Sequence, residues 1–482
     1  MTKSGKENND IDRSIIESVE RYESMLLTGT KEYFDEEDLL DVADYYYNDM
    51  SRPDDALQCI DYVLQLHPSS RNAVLMRAEI YFYEGKREEA WKILSSLRNT
   101  RDPEVMYYYG LFSLEEDKVA DAVSYYSKAY FYQKGDALDM FCQMAWDMLE
   151  HNETRGVPQW IDMLPERQKD NTRVREVQAE LQRQMGDFPA AIATEQRLID
   201  RDPYNVHYWN GLTKLYCQSG RYTDAIESVT YAIDIAPNDP EALILGGEVY
   251  TNLKENEKAA DFYARYIAVD DKNPHAYFDY AHVLICMDKY EEALVQLAYA
   301  LKYSDNRSVK NMEIYELLST VYWAIDDYRT ARHYLELAKE QGLPEWAYAF
   351  RKLSIDLKEG KKVRLARPTL RVAELIAGAH MQLDPLFFTL FNAHRLDLII
   401  KVMDEIEKTY PHYKSAFLPF RSATYYFEHK GDEFLRYLKE AVKREPERTK
   451  AVFSSLFPPT LDLGSYYDYA ESLVSKEQYP DL

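Results

Sequence analysis

The sequence predicts an all-α fold: an α-solenoid of stacked antiparallel helical hairpins, coiling as a right-handed superhelix and ending in a divergent helical C-terminal region. Three observations lead there. Gly 16 and Pro 19 are few for 482 residues, and the long stretches free of both favour helices over a turn-dense β fold. Small residues recur at a near-constant interval, and turn and cap signals fall between them.

The spacing can be followed from the stretch "GRYTDAIESVTYAIDIAPNDP". From its Ala225, a small residue recurs at Ala56, Ala90, Ala122, Ala191, Ala259, Ala293 and Ala331, with Val157 filling one gap. The steps are 34, 32, 35, 34, 34, 34, 34 and 38 residues. A second ladder runs through Ala78, Gly110, Ala145, Ala179, Thr213, Gly247, Ala281 and Ser319, each 12 residues before its partner. Irregular steps fall between units and never inside one, as expected of rigid hairpins joined by variable connections. Two antiparallel helices approach closely only where neither presents bulk at the crossing, so the two ladders mark the crossings. Gly85, Gly186 and Gly220 read as turns inside units. Asp202-Pro203, Asp239-Pro240 and Asn273-Pro274 read as an N-cap followed by proline where a helix begins.

In chain order, residues 1–13 are polar and predict a disordered tail, and 14–36 a capping helix. Residues 37–344 predict nine hairpins. Residues 345–378 predict two linker helices around "KEGKKVRLARP", the most basic segment of the chain. Residues 379–446 predict two divergent hairpins, in which Ile399 and Phe434 stand at the second-helix crossing, so those hairpins must splay or pack differently. Residues 447–482 predict a capping segment, because an open stack must cover its last apolar face.

At this point the chain resembles the tetratricopeptide repeat family. Trp209, Leu212, Tyr216, Gly220, Ala225, Ala232 and Pro237 reproduce the family's signature almost whole. Neighbouring copies keep Tyr250, Ala259 and Tyr263; Tyr277, Ala281, Ala293 and Ala300; and Tyr315, Leu318, Tyr322, Ala331 and Ala338. The resemblance implies an extended concave surface that binds proteins or peptides. The family lines that groove with first-helix positions three before, one after and four after the small residue. Here those positions include Leu75, Glu79 and Phe82; Tyr107, Leu111 and Leu114; Trp146 and Leu149; and Asn210 and Lys214. Phe82, Tyr107 and Trp146 read either as a partner-binding aromatic wall or as core. Asn210 and Lys214 match only part of the family's carboxylate-holding set, since the next copy supplies Ile244 and Glu248, and no such clamp is expected.

Composition narrows the function. A formal net charge of -25 repels phosphate backbones and anionic lipid heads, so neither nucleic acid nor membrane insertion is expected. No apolar run reaches the roughly 18 residues of a spanning helix, and no secretory leader is evident, so the expected compartment is the cytoplasm. Cys59, Cys142, Cys217 and Cys286 lie far apart without a CxxC, which predicts reduced thiols within helices. No nucleophile elbow, Walker loop, HExxH or dinucleotide fingerprint occurs. The expectation is a non-enzymatic protein-interaction scaffold with no metal and no cofactor. The alternative is a regulatory or non-catalytic subunit docking on an enzyme through its C-terminal half. Lys358 to Arg371 reads either as a solvated linker or as a contact for an acidic surface. Partner, pathway and oligomeric state are not encoded in any motif.

Overall fold

The computed structural model describes residues 13–97, 101–133, 137–304, 309–360 and 366–476, and no β-strand occurs among them. The chain divides into two units, residues 1–231 and 232–482. The expected N-terminal tail lies almost wholly outside the described residues.

The first unit opens with a helix, Arg13–Thr28, that buries Val19, Tyr22 and Met25 in one cluster with Phe34, Leu39 and Tyr46. Five helix pairs follow: Glu36–Asp44 with Pro53–Leu66, Arg71–Tyr83 with Arg87–Ser96, Pro103–Glu115 with Val119–Tyr132, Leu138–Glu150 with Val157–Met163, and Thr172–Gln184 with Phe188–Arg201. A sixth begins with Val206–Gln218. A residue in each connection takes a positive φ, at Ser51, Gly85, Asp117, Asn152 and Gly186 in turn. The fourth pair departs from the rest. Its second helix is short, and Val157 and Trp160 are buried in place of a small crossing.

Several first helices start at side-chain caps, which satisfy backbone donors that have no partner within the helix. Ser70 accepts from Ala73 N at 3.1 Å, Asn171 from Arg173 N at 3.0 Å and Asn205 from His207 N at 3.1 Å. The Asp202-Pro203 reading is thereby corrected. Asp202 ends the preceding helix, the next starts at Val206, and Trp209 Nε1 donates to Pro203 O at 2.8 Å across the intervening turn. A cap must sit directly before the first helical residue, and a proline three residues upstream marks only the connection.

The second unit continues the same construction with Pro240–Asn252 and Asn256–Val269, Pro274–Cys286 and Tyr290–Tyr303, and Asn311–Ala324 and Tyr328–Glu340. Here Asp239 and Asn273 cap their helices as read, accepting from Ala242 N at 2.8 Å and His275 N at 3.0 Å. Direct bonds span the crossing. Ser319 Oγ donates to Ala331 O at 2.8 Å, joining two residues 12 apart.

The helices Glu345–Lys358 and Ala366–Gly378 each bury an apolar face, while Arg367 and Arg371 of the basic segment between and at the start of them are exposed. Leu353, Val372, Ala373 and Ile376 share one buried cluster with residues as distant as Phe434 and Phe453. Lys358 Nζ donates to Trp323 O and Ala324 O at 2.9 and 3.0 Å, satisfying carbonyls at a helix end where a cation is favoured. Residues 361–365 of the basic segment lie outside the described residues.

Beyond them come Asp384–Asn392 with Leu396–Thr409 and Leu418–Phe427 with Gly431–Arg444, then Pro446–Phe453 and Tyr466–Ser475. Phe434 does not splay its hairpin. Ser422 Oγ donates to Phe434 O at 3.1 Å, again across 12 residues, so a small residue on the first helix makes room for a large one on the second. Ile399 is likewise buried.

Two expectations follow within one hairpin. A Cβ built on Gly247 would lie 2.6 Å from the Tyr263 ring. Gly247→Ala is expected to cost about 1 to 3 kcal/mol through overpacking, in spite of alanine's better helix propensity. Adding Tyr263→Leu should restore most of it in a denaturant titration. Lys254 holds φ 60° at the turn, a conformation that side chains disfavour. Lys254→Gly is therefore expected to stabilise by about 1 kcal/mol, read as a higher melting temperature.

Candidate protein-interaction face

The groove positions can be placed one column at a time. In the first unit, the residues three before and four after each small residue are mostly buried between neighbouring hairpins. Leu75, Phe82, Tyr107, Leu114 and Leu149 all belong to one core cluster, and Leu111 joins them from the middle column. Phe82 stacks on Phe112 of the next hairpin at 4.1 Å between ring centroids, and Tyr107 on Tyr126 at 5.6 Å. Asn210 is buried, at 1% exposure. Of the rings read as a possible wall, Phe82 is thus engaged with the next hairpin and Tyr107 with the second helix of its own.

The column one residue after the small position is the one that opens outward. Glu79 and Trp146 are half-buried and Lys214 is exposed. The same column in the second unit carries Glu248 and His282, both exposed, and the half-buried Thr320. Side chains three and four residues apart flank the helix face, so they meet the adjacent hairpins, whereas the position between them faces away from both. Thr320 leads into a cleft of about 80 Å³ that is also lined by Trp323, Arg351 and Ser354.

Sequence reading missed a second feature of this face: tyrosine hydroxyls donating to carboxylates of the neighbouring hairpin. Tyr83 donates to Glu115 at 3.0 Å, Tyr108 to Glu79 at 2.9 Å, Tyr126 to Asp147 at 2.9 Å and Tyr208 to Glu176 at 2.7 Å. Each ring, buried at Tyr126 and Tyr208 and half-buried at Tyr83 and Tyr108, packs while its hydroxyl is satisfied by a charged acceptor. A signal existed, since Tyr83 and Glu115, and Glu176 and Tyr208, stand 32 residues apart, about one repeat.

Burial pushes the Asp147 carboxyl up to about 7, although the hydroxyl of Tyr126 holds it down in part. In the second unit burial raises Asp279 to about 6.

Cys59, Cys142 and Cys217 are buried and Cys286 is exposed, all as free thiols. Among the described residues no three His, Cys, Asp or Glu gather as a metal-binding group, and no helix is long and apolar enough to cross a membrane.

With this geometry in view, comparison with known proteins is specific. Tetratricopeptide repeat models match residues 176–240 and 216–277. The matched stretch runs from the fifth helix pair into the eighth. It is 37% identical over 93 residues to anaphase-promoting complex subunit 3 of Schizosaccharomyces pombe. That alignment takes in 19% of this chain and spans only 14% of the relative's length. Among solved structures, the chain is similar to MamA at 24% identity, covering 34% of this chain and 93% of that one, with a TM-score of 0.32. It is also similar to the APC/C hetero-tetramer Cut9-Hcn1 at 12% identity, covering 92% of each chain, with a TM-score of 0.37.

A pH dependence follows from Asp147. A carboxyl raised in the folded chain favours folding in its protonated form, so its contribution is present at acid pH and lost as pH rises through about 7. Asp147→Asn keeps an acceptor for Tyr126 and removes the ionisation. Scanning calorimetry at pH 5 and pH 8 should show a smaller fall in melting temperature for the variant than for the parent.

Proposed function

We propose that this chain is a non-enzymatic scaffold that binds partner proteins or peptides along the first-helix face of its hairpins. The observation that carries the reading is the outward column of Glu79, Trp146 and Lys214 in the first unit, set on hairpins whose flanking columns are sealed in the core. Polar and charged groups beside one half-buried indole suit a partner surface, where aromatic anchors contribute affinity and charges contribute selectivity. The tetratricopeptide match over residues 176–277 supports protein binding as the class of activity.

A second reading has its own support. The relative from Schizosaccharomyces pombe is by its name a subunit of a complex, which favours a non-catalytic subunit within a larger assembly. Docking would then use the C-terminal half, where Phe388 is 40% exposed beside the buried Phe387.

The two readings separate in one experiment. Full-length protein, a Trp146→Ala/Lys214→Ala variant and a Phe388→Ala variant are each used for affinity purification with mass spectrometry, after circular dichroism confirms equal helicity. The first reading expects partners to be lost from the double variant and kept by Phe388→Ala, and the second expects the reverse. An unchanged partner set in both variants would overturn both surfaces.

A further inference from the structure

One side chain breaks the repeat. Four residues after the second-helix ladder position, the other hairpins place Ile60, Leu94, Tyr126, Ile161, Val229, Tyr263, Leu297 and Leu335, all buried. The fifth hairpin places Glu195 there, four residues after Ala191. A carboxyl at a position that is apolar elsewhere is a local violation of the pattern, and such violations concentrate where a protein needs more than stability.

The surroundings make the carboxyl consequential. Its Oε2 is buried and accepts no hydrogen bond. From Thr172–Gln184 on one side come Glu176 and Glu180, which raise its affinity for a proton, and from Val206–Gln218 on the other comes Lys214, which lowers it. Glu176 is occupied by the Tyr208 hydroxyl, and Glu180 is paired with Arg183 Nε at 2.7 Å and bonded by Gln184 Nε2 at 2.7 Å. The residue facing Glu195 is Gly211, where any Cβ would lie 2.8 Å from Oε1, so the carboxyl rests against bare helix.

We propose that Glu195 makes the junction between the fifth and sixth hairpins a proton-operated joint. Protonated, the side chain packs as the leucines and tyrosines of the other hairpins do. Ionised, it is a buried charge with one oxygen unbonded and two carboxylates nearby, and the junction relieves it by separating Phe188–Arg201 from Val206–Gln218. Burial first, then Glu176 and Glu180, push the carboxyl up to about 8, so the ionised form accumulates just above neutrality. The sign follows from linkage: a carboxyl raised in the closed junction stabilises closure below that pH and is lost as pH climbs through it. Lys214 stands in the outward column, so opening the joint alters the face proposed above for partner binding. The joint itself does not depend on that proposal.

Hydrogen exchange read by mass spectrometry on the full chain tests it. Rates at pH 6.5 and pH 9.0 are corrected for intrinsic amide chemistry, and peptides from 188–218 are compared with peptides from 53–66 as an internal reference. The parent should lose protection in 188–218 by about tenfold or more between the two pH values. Glu195→Gln and Glu195→Leu should each abolish that change, leucine being the residue at this position in three other hairpins. A parent with constant protection in 188–218, or either variant keeping the parent's pH response, would overturn the proposal.

Discussion

The close crossing of two helices inside each hairpin is the constraint on which the rest depends. Where Ser319 reaches the carbonyl of Ala331, and Ser422 that of Phe434, the backbones are near enough for a hydroxyl to span them. That proximity requires a small residue on at least one side. It also sets the register of everything else on the hairpin, because a helix positioned at one residue has its three- and four-residue neighbours positioned too. Rings then fill the space that remains, as Tyr263 does beneath Gly247. A stack built this way contacts only its neighbours, and each junction can carry its own chemistry.

That register separates the residues a partner could touch from those the fold needs. Positions flanking the outward column pass into the seams between hairpins, where Phe82 meets Phe112. The tyrosine-to-carboxylate bonds lie in the same seams, so a tyrosine-rich composition reflects hairpin-to-hairpin ties such as Tyr83 to Glu115 and Tyr208 to Glu176. Acidic groups thus do two jobs: some accept these hydroxyls, and Glu195, together with Asp147, which also accepts one, holds protons more tightly than exposed carboxylates because burial disfavours their charge. A chain of net charge -25 therefore has several carboxyls whose ionisation is decided by the seams.

Much of this was legible in the sequence. The 12-residue offset between paired small positions needs no coordinates to see, and it is the spacing that Ser319 and Ala331 bridge. The caps at Asp239 and Asn273 were equally plain, because an Asx residue followed by proline has few other uses. Asp202-Pro203 misled, since the same dipeptide also serves inside a connection, and only the start of helix at Val206 distinguishes the two. The charges of the basic segment suggested solvent, and Arg367 and Arg371 are exposed, whereas the burial of the flanking Leu353 and Val372 was decided by helices distant in sequence.

What the sequence determined by itself was periodicity: helical hairpins, their register and the resemblance to a tetratricopeptide repeat, because each rests on residues within about 34 positions of one another. What only the tertiary structure decided was which side of a stripe is surface. Leu111 and Trp146 hold the same position in their hairpins, yet one is buried and the other half-buried. Exposure depends on what the adjacent hairpin presents, and that is a property of stacking, to which no single hairpin's sequence has access.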